Sequence, residues 1–147
     1  MVVDTVKIKN ALTPLFIRLN NRNKFADRDM TGVMRDITVR NVTADGCELP
    51  IIVSGVEDSG KTCYIENVLL ENFDVTYREC RHPNSVNKVT HDDVKEAVDE
   101  YPEAWMMGDV PASGIYLRHT KNAVYTNCNF VLRQDDKRPF VNSFDCQ

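Results

Sequence analysis

A short strand-like segment recurs along this chain and constrains its fold more than any other feature. Each copy has a polar residue, two apolar residues at alternate positions and a closing asparagine. The first three closing asparagines are 31 residues apart, and the last interval is 55 residues. Such spacing predicts stacked coils, because hairpin strands recur at about 8–12 residues. The copies are Thr5–Asn10, Asp36–Asn41, Asn67–Asn72 and Asn122–Asn127.

A second kind of strand alternates with the first, at residues 14–19, 50–55, 114–119 and 139–144. Alternation predicts that Leu15, Ile17, Ile51, Val53, Ile115 and Leu117 face the core. It sends outward the neighbouring residues Phe16, Arg18, Ile52, Ser54, Tyr116 and Arg118.

These two strand types predict an all-β fold, a parallel β-solenoid of about four coils. Asparagine suits the turns, since it tolerates left-handed dihedral angles and its amide bonds the backbone. An antiparallel sandwich with ordinary asparagine turns is the alternative. Composition agrees with either β fold, because Val, Ile, Thr, Tyr and Phe number 46, against 20 for Leu, Ala and Met.

The 147 residues and 42% apolar content predict one domain, 1–147, with a real core. A net charge of −4 and a pI of about 5.3 argue against nucleic acid and anionic membranes as partners. The chain starts without a basic segment followed by an apolar one, so we expect no export signal in it. The compartment stays open, because a start within a strand pattern is equally expected of a piece of a longer exported chain. Five cysteines at irregular spacings predict free thiols rather than a disulfide framework or a zinc site.

The interval at 78–112 is rich in charge and proline and is predicted to be an inserted loop. Within it, residues 90–101 predict a short helix, with Thr90 as N-cap and acidic residues in the first turn. Pro102 would end this helix. Its apolar face would consist of Val94, Ala97, Val98 and Tyr101.

Residues Gly55–Thr62 match the Gly-x-x-x-x-Gly-Lys-Thr pattern of a phosphate-binding loop. However, Glu57 and Asp58 within it oppose an anion, and no apolar strand ending in Asp follows to hold magnesium. A P-loop nucleotide binder is therefore a remote alternative, and a loop between strands is the main prediction.

Other polar groups carry weaker signals. Adjacent carboxylates seldom face one substrate, and the two acidic pairs lie at a predicted helix start and in a predicted turn, so structural roles are expected. Two or three ligands on a polar loop do not complete a metal site. The sequence therefore predicts no metal and no cofactor. The groups are Asp92-Asp93, Asp135-Asp136 and the partial ligand set Cys80, His82 and His91.

The succession of segments resembles the C-terminal coils of glycoside hydrolase family 28, the polygalacturonase-like pectinases. The resemblance covers nearly the whole chain and implies a right-handed parallel β-helix. For full-length relatives it implies hydrolysis of pectic polysaccharide with inversion, and a secreted or periplasmic location. The segments are PLFIRLNNR (14–22), MRDITVRN (34–41), IENVLLENF (65–73), YPE (101–103), MGDVPASG (107–114) and IYLRH (115–119).

The family's catalytic elements are missing from this sequence: Asn-Thr-Asp, the Asp-Asp pair after glycine, Gly-His-Gly and the Arg-Ile-Lys strand. We therefore expect a chain that is inactive alone, because an inverting glycosidase needs two carboxyl groups about 6.5–9.5 Å apart. The alternative is a non-catalytic β-helix that binds acidic polysaccharide or serves a structural role.

The resemblance also implies a binding face. The outward strand residues would extend the sugar cleft, with guanidinium groups for uronate carboxylates and aromatic faces for sugar rings. These substrate-binding candidates are Phe16, Arg18, Tyr116 and Arg118; ion pairing with Asp or Glu is the alternative for the arginines. The expected partner is a pectic or uronic-acid polysaccharide. Self-association through the open N-terminal end of the solenoid is also expected.

Overall fold

The computed structural model describes residues 1–20, 32–78 and 83–147. These residues are mostly β, since 54% of them lie in strands and 8% in helices. The strands are β1 (Val2–Lys9), β2 (Phe16–Arg18), β3 (Met34–Cys47), β4 (Ile51–Ser54), β5 (Val56–Asp58), β6 (Lys61–Cys63), β7 (Ile65–Tyr77), β8 (Ile115–Val131) and β9 (Val141–Cys146).

The main sheet is parallel and has the order β1-β3-β7-β8-β4-β2, with β9 also paired to β8. The long strand β8 belongs to two rows: its start pairs with β4 from Ile115 to Arg118, and the rest pairs with β7 from Thr120 onward. The sheet consequently curls into a half-barrel. The predicted parallel, all-β architecture is confirmed, and the antiparallel sandwich is wrong.

Residues with left-handed backbone bend the strands at regular places. Asp36, Asn67 and Asn122 form one column, and Asn41, Asn72 and Asn127 a second, with φ between 49° and 56°. Their amides bond along the stack; the Asn72 Nδ2 donates to Asn41 Oδ1 at 2.9 Å, and Asn127 Nδ2 to Asn72 Oδ1 at 2.6 Å. The closing asparagines of the last three copies thus stack in a ladder, in which their amides bond one another rather than the backbone.

The pairing of β1 corrects the alignment of the first repeat. Val2 lies beside Thr38, an offset of 36 residues rather than 31, so Thr5 is level with Asn41. Asn10 is instead level with Gly46. Left-handed residues recur every five positions in β3, at 36, 41 and 46, so a slip of five residues superposes one bend on the next. The register of β1 against β3 is decided by side-chain packing, which a comparison of residue types along the sequence does not take into account.

The predicted inner face is confirmed. Ile17, Ile51, Val53, Ile115 and Leu117 are buried in the main core, and Leu15 packs against it half-buried. The last strand is displaced by one residue from the expected alignment, since Val141 rather than Phe140 lies beside Ile115. The Phe140 ring instead packs over Gly114, where a Cβ would lie 2.3 Å from it.

Between β7 and β8, the described residues 83–114 are mostly irregular. They contain α1 (Pro83–Val86) and two 3-10 helices, His91–Asp93 and Ala104–Met107. The predicted helix over 90–101 is therefore wrong beyond its first turn, although Thr90 is the N-cap as predicted and its backbone amide donates to Asp93 Oδ2 at 2.8 Å. Val94 is extended and Ala97 has φ of 50°, conformations that an α-helix does not allow.

Among the helices of the described residues, none combines the length and the hydrophobicity of a membrane span. The cysteines at 47, 63, 128 and 146 are free. Cys80 and His82, part of the weak metal-ligand set, lie outside the described residues. Within the described ranges, no group of three or more His, Cys, Asp or Glu is arranged to hold a metal ion.

Candidate carboxylate-binding site

The four substrate-binding candidates lie where alternation predicted, on the outer face of three adjacent strands. Phe16 is level with Ile52 and Tyr116, and Arg18 is level with Ser54 and Arg118. The two arginines therefore share one column across β2, β4 and β8. They do not face solvent, because Arg18 is 8% exposed and Arg118 is 7% exposed.

The segment between β7 and β8 covers this outer face. Tyr116 and Ile52 are fully buried against Val94, Met107 and neighbouring apolar residues, with Phe16 half-buried beside them. This second apolar cluster explains the strands' fully buried pattern, since both of their faces are packed. Burial raises the pKa of Tyr116 to about 12, so its phenol stays neutral in physiological buffers.

A carboxylate from the covering segment, Glu96, lies at the end of the arginine column. Its Oε1 forms an ion pair with the Arg118 guanidinium and lies 2.9 Å from His119 Nε2. Its Oε2 accepts a hydrogen bond from the Glu57 backbone amide at 3.1 Å and is 3.8 Å from the Arg18 guanidinium. Burial opposes ionisation, yet these hydrogen bonds and the Arg118 charge lower the pKa of Glu96.

His119 directly follows Arg118 and has a left-handed backbone with φ of 50°. Its ring is 1% exposed, with Nδ1 2.7 Å from Asp145 Oδ2 and Nε2 facing Glu96. Burial disfavours the charged ring, but the hydrogen bonds to Glu96 and Asp145 prevail and raise the pKa of His119. With a carboxylate facing each ring nitrogen, the charged form of the ring can donate hydrogen bonds to both Asp145 and Glu96.

Gly55 lets the chain pass close to this histidine. A Cβ at residue 55 would lie 2.5 Å from the His119 carbonyl oxygen and 2.3 Å from that of Cys63. The Gly55 carbonyl accepts a hydrogen bond from Arg18, whose guanidinium also donates to Ser54 Oγ at 2.7 Å. Burial lowers the pKa of Arg18 to about 10, which still leaves it charged at neutral pH.

The cluster combines basic and acidic side chains. Arg18 and Arg118 supply two guanidinium groups, His119 supplies an imidazole, and Glu96 and Asp145 supply two carboxylates. Because the guanidinium groups come from β2 and β8 of one sheet, with β4 between them, and the central carboxylate from the covering segment, the arrangement is a carboxylate-binding site formed by the sheet.

Sequence reasoning missed three members of this site: Glu96, His119 and Asp145. The alternation rule assigned His119 no role because its left-handed bend breaks the period of two. Glu96 and Asp145 reach the column from distant parts of the chain, 23 and 26 residues from His119. The sequence pointed towards the two acidic residues only through the alternative that the arginines pair with Asp or Glu.

The structural interpretation of the acidic pairs is supported by their contacts. Asp93 accepts hydrogen bonds from Thr90 at 2.8 Å. Asp136 is paired with Arg133 and Arg138 at 2.8 and 2.6 Å in the turn before β9. Neither pair lies in the carboxylate-binding site.

The phosphate-loop interpretation of Gly55–Thr62 is not compatible with the structure. The segment forms an antiparallel hairpin of β5 and β6, in which Asp58 lies beside Lys61. Ser59 and Gly60 turn the chain with positive φ. The helix that a phosphate cradle requires after Thr62 is absent, because β7 starts at Ile65.

A groove of about 520 Å³ also runs along the asparagine ladder. Its lining is mainly amide and hydroxyl groups, including Asn72, Asn127 and Thr43, with Lys7 and Asp74 as charged members. The groove has no cluster of cations comparable to the arginine column.

Comparison of the chain with protein-family models, curated proteins and solved structures found no match.

Proposed function

We propose that this chain is the C-terminal β-helix portion of a polygalacturonase-like glycoside hydrolase and contributes a binding surface for pectic, uronic-acid polysaccharide. The proposal includes a complete right-handed β-helix, of which the described residues form a curled, parallel half-barrel. Support comes from the parallel coils, the asparagine ladder and the family resemblance of segments throughout the sequence.

The observation that carries the binding proposal is the recognition of one carboxylate by Arg118, Arg18, His119 and a backbone amide. A uronic acid presents the same chemical group as the Glu96 side chain. Guanidinium binds carboxylates through parallel hydrogen bonds, so the column suits a polymer of such sugars better than a neutral one. Tyr116, at 0% exposure, does not offer a ring to sugar while the covering segment is closed.

Catalysis is not part of the proposed role of these residues. The acidic pairs are engaged in a cap and in ion pairs with arginine, and the family's catalytic elements are missing from the sequence. We expect purified chain to release no reducing ends from polygalacturonate above a buffer blank. Turnover that rises with the amount of pure protein would contradict this expectation.

Isothermal titration with oligogalacturonate tests the binding. We expect Arg118→Ala to weaken it by about tenfold to a hundredfold, since a charge-assisted hydrogen bond contributes about 1.5–3 kcal/mol. Arg35→Ala is the matched control, because it removes the same charge from an exposed position on β3 and is expected to bind as the wild type does. Fully methyl-esterified ligand, which lacks the carboxylates, is expected not to bind.

Two results would overturn the proposal. One is equal weakening by Arg118→Ala and Arg35→Ala, which indicates general charge attraction. The other is equal binding of esterified and free ligand, which indicates that carboxylates are not recognised. NMR spectra locate the site, since the proposal expects perturbed side-chain signals from Arg18 and Arg118.

A further inference from the structure

We infer that residues 94–97 form a displaceable strap, and that its Glu96 carboxylate fills the site that a uronate carboxylate takes when polysaccharide binds. This inference rests on the proposed function and adds its regulation. Glu96 is then a competing ligand within the same chain, and polysaccharide binding requires the strap to leave.

Two of the three basic residues are held by the sheet rather than by the strap. Arg18 keeps its bonds to Ser54 Oγ and the Gly55 carbonyl when Glu96 is removed, and His119 keeps Asp145. Arg118 loses Val94 and Glu96 but keeps its contacts with His119 and the Phe144 ring, so departure of the strap leaves a vacant carboxylate position beside these side chains. An incoming carboxylate restores the partners that Glu96 had supplied.

The strap is attached mainly through groups of the site. Arg118 donates to the Val94 carbonyl at 2.8 Å, Arg18 donates to the Glu96 carbonyl, and Asn20 donates to the Ala97 carbonyl at 3.1 Å. A ligand that binds the arginines competes with these contacts as well as with the Glu96 side chain.

Two further features of the strap favour release. Ala97 has φ of 50°, a left-handed conformation that disfavours side chains with a Cβ and is relieved when the strap opens. The Glu96 side chain is 25% exposed, so an incoming carboxylate has access to the site from solvent. The buried Val94 side chain opposes release, which keeps the strap closed without ligand.

A carboxylate tethered beside its site acts at a high effective concentration. The apparent affinity for a free carboxylate is therefore the affinity of the open site multiplied by the fraction of molecules in which the site is open. Weakening the internal competitor therefore strengthens ligand binding, whereas removal of a residue that merely supports the site weakens it. The sign of the change distinguishes the two roles.

The test compares Glu96→Gln with Asp92→Asn by titration with trigalacturonate. Both substitutions remove one negative charge from the same segment without changing side-chain size, but Asp92 is exposed and outside the site. We expect Glu96→Gln to bind at least tenfold more tightly than the wild type, and Asp92→Asn to bind within twofold of it.

The single tryptophan gives a second measurement. Trp105 lies in the same covering segment and is 62% exposed. We expect trigalacturonate to increase amide hydrogen exchange at residues 94–97 of the wild type and to change Trp105 emission. This measurement stands even if Glu96→Gln fails to fold, because it uses the unaltered chain.

The outcomes separate the two proposals. If the wild type binds in an Arg118-dependent way but Glu96→Gln binds equally or more weakly, the strap is wrong and the proposed function stands. Unchanged or slower exchange at 94–97 on binding also overturns the strap. If neither wild type nor Glu96→Gln binds trigalacturonate, the proposed function and the strap both fail.

Discussion

Asp136 illustrates how single residues hold the end of the covering segment in place. Its side chain is 1% exposed and bonds two guanidinium groups, those of Arg133 and Arg138. Arg138 also donates to the Val110 carbonyl at 2.7 Å, and Arg133 to that of Glu48. Burial opposes ionisation, but the arginines prevail and lower the pKa of Asp136 to about 2.

We predict that Asp136→Asn lowers the free energy of unfolding by about 3 kcal/mol, because it leaves buried guanidinium charge unpaired. Asp135→Asn removes the same charge from an exposed neighbour and is expected to cost less than about 0.5 kcal/mol. Urea denaturation of both variants at neutral pH provides the measurement. Equal effects would show that the arginines do not depend on Asp136.

The raised pKa of His119 predicts that the free energy of unfolding falls as pH rises, which is the opposite of the pH dependence that a paired aspartate gives. Because the folded pKa is raised above the ordinary histidine value of 6.5, the stabilisation from His119 is complete below that value. It is lost as pH rises through the folded pKa. We expect this fall in unfolding free energy to disappear in His119→Gln, measured by urea denaturation across neutral and mildly alkaline pH. An NMR titration that placed His119 below 6.5 would contradict the prediction.

At the scale of elements, each bend depends on a residue that accepts left-handed backbone. Asn72 has φ of 56° and bonds Asn41 and Asn127 on the neighbouring strands. The side chain and the backbone conformation therefore contribute separately to the ladder.

Two substitutions at residue 72 separate these contributions. Asn72→Ala loses both amide bonds and adds left-handed strain, so we predict a loss of about 2–3 kcal/mol. Asn72→Gly loses the same bonds without that strain and is predicted to be about 1 kcal/mol more stable than the alanine variant. Thermal and urea unfolding measure both. An alanine variant as stable as the glycine variant would show that the bend is not limiting.

Elements were predictable where a local period determines them. Ile17, Ile51 and Ile115 face the core as their alternation indicates, because a pleated strand has a period of two. The register of β1 was not predictable from letters, since bends recur every five residues and Thr5 replaces asparagine in the ladder. The arginine column was predicted, but its cover was not. Glu96 reaches the column by tertiary packing, which overrides the helix preference of its segment.

At the scale of the whole molecule, the sheet has free edges. No strand within the described ranges pairs with the outer side of β1, where Val2 and Val3 are exposed. The second half of β8 beyond Thr120 is likewise uncovered, since β9 pairs only up to that residue. Unpaired parallel edges are templates for a further strand.

We predict that the purified 147-residue chain associates end to end as its concentration rises, with β1 of one copy against β8 of another. Val2→Lys places a charge at the free edge and is expected to reduce association, as edge lysines do in natural sheets. Light scattering and sedimentation measure both proteins. A wild type that remains monomeric at high concentration would contradict the prediction.

The position of β8 also has a kinetic consequence. It meets β4 across 64 residues, from Ile51 to Ile115, and β7 across 55, from Ile65 to Thr120. Doubling the length of a loop raises the entropic cost of closing it by only about 0.6 kcal/mol, so these long sequence separations cost the native state little. They have a larger effect on the folding rate, because strands far apart in sequence must meet before their contacts provide any stabilisation. We therefore expect β1, β3 and β7 to stack first in a nascent chain, and the arginine column to assemble only when β8 pairs with β4 and β7.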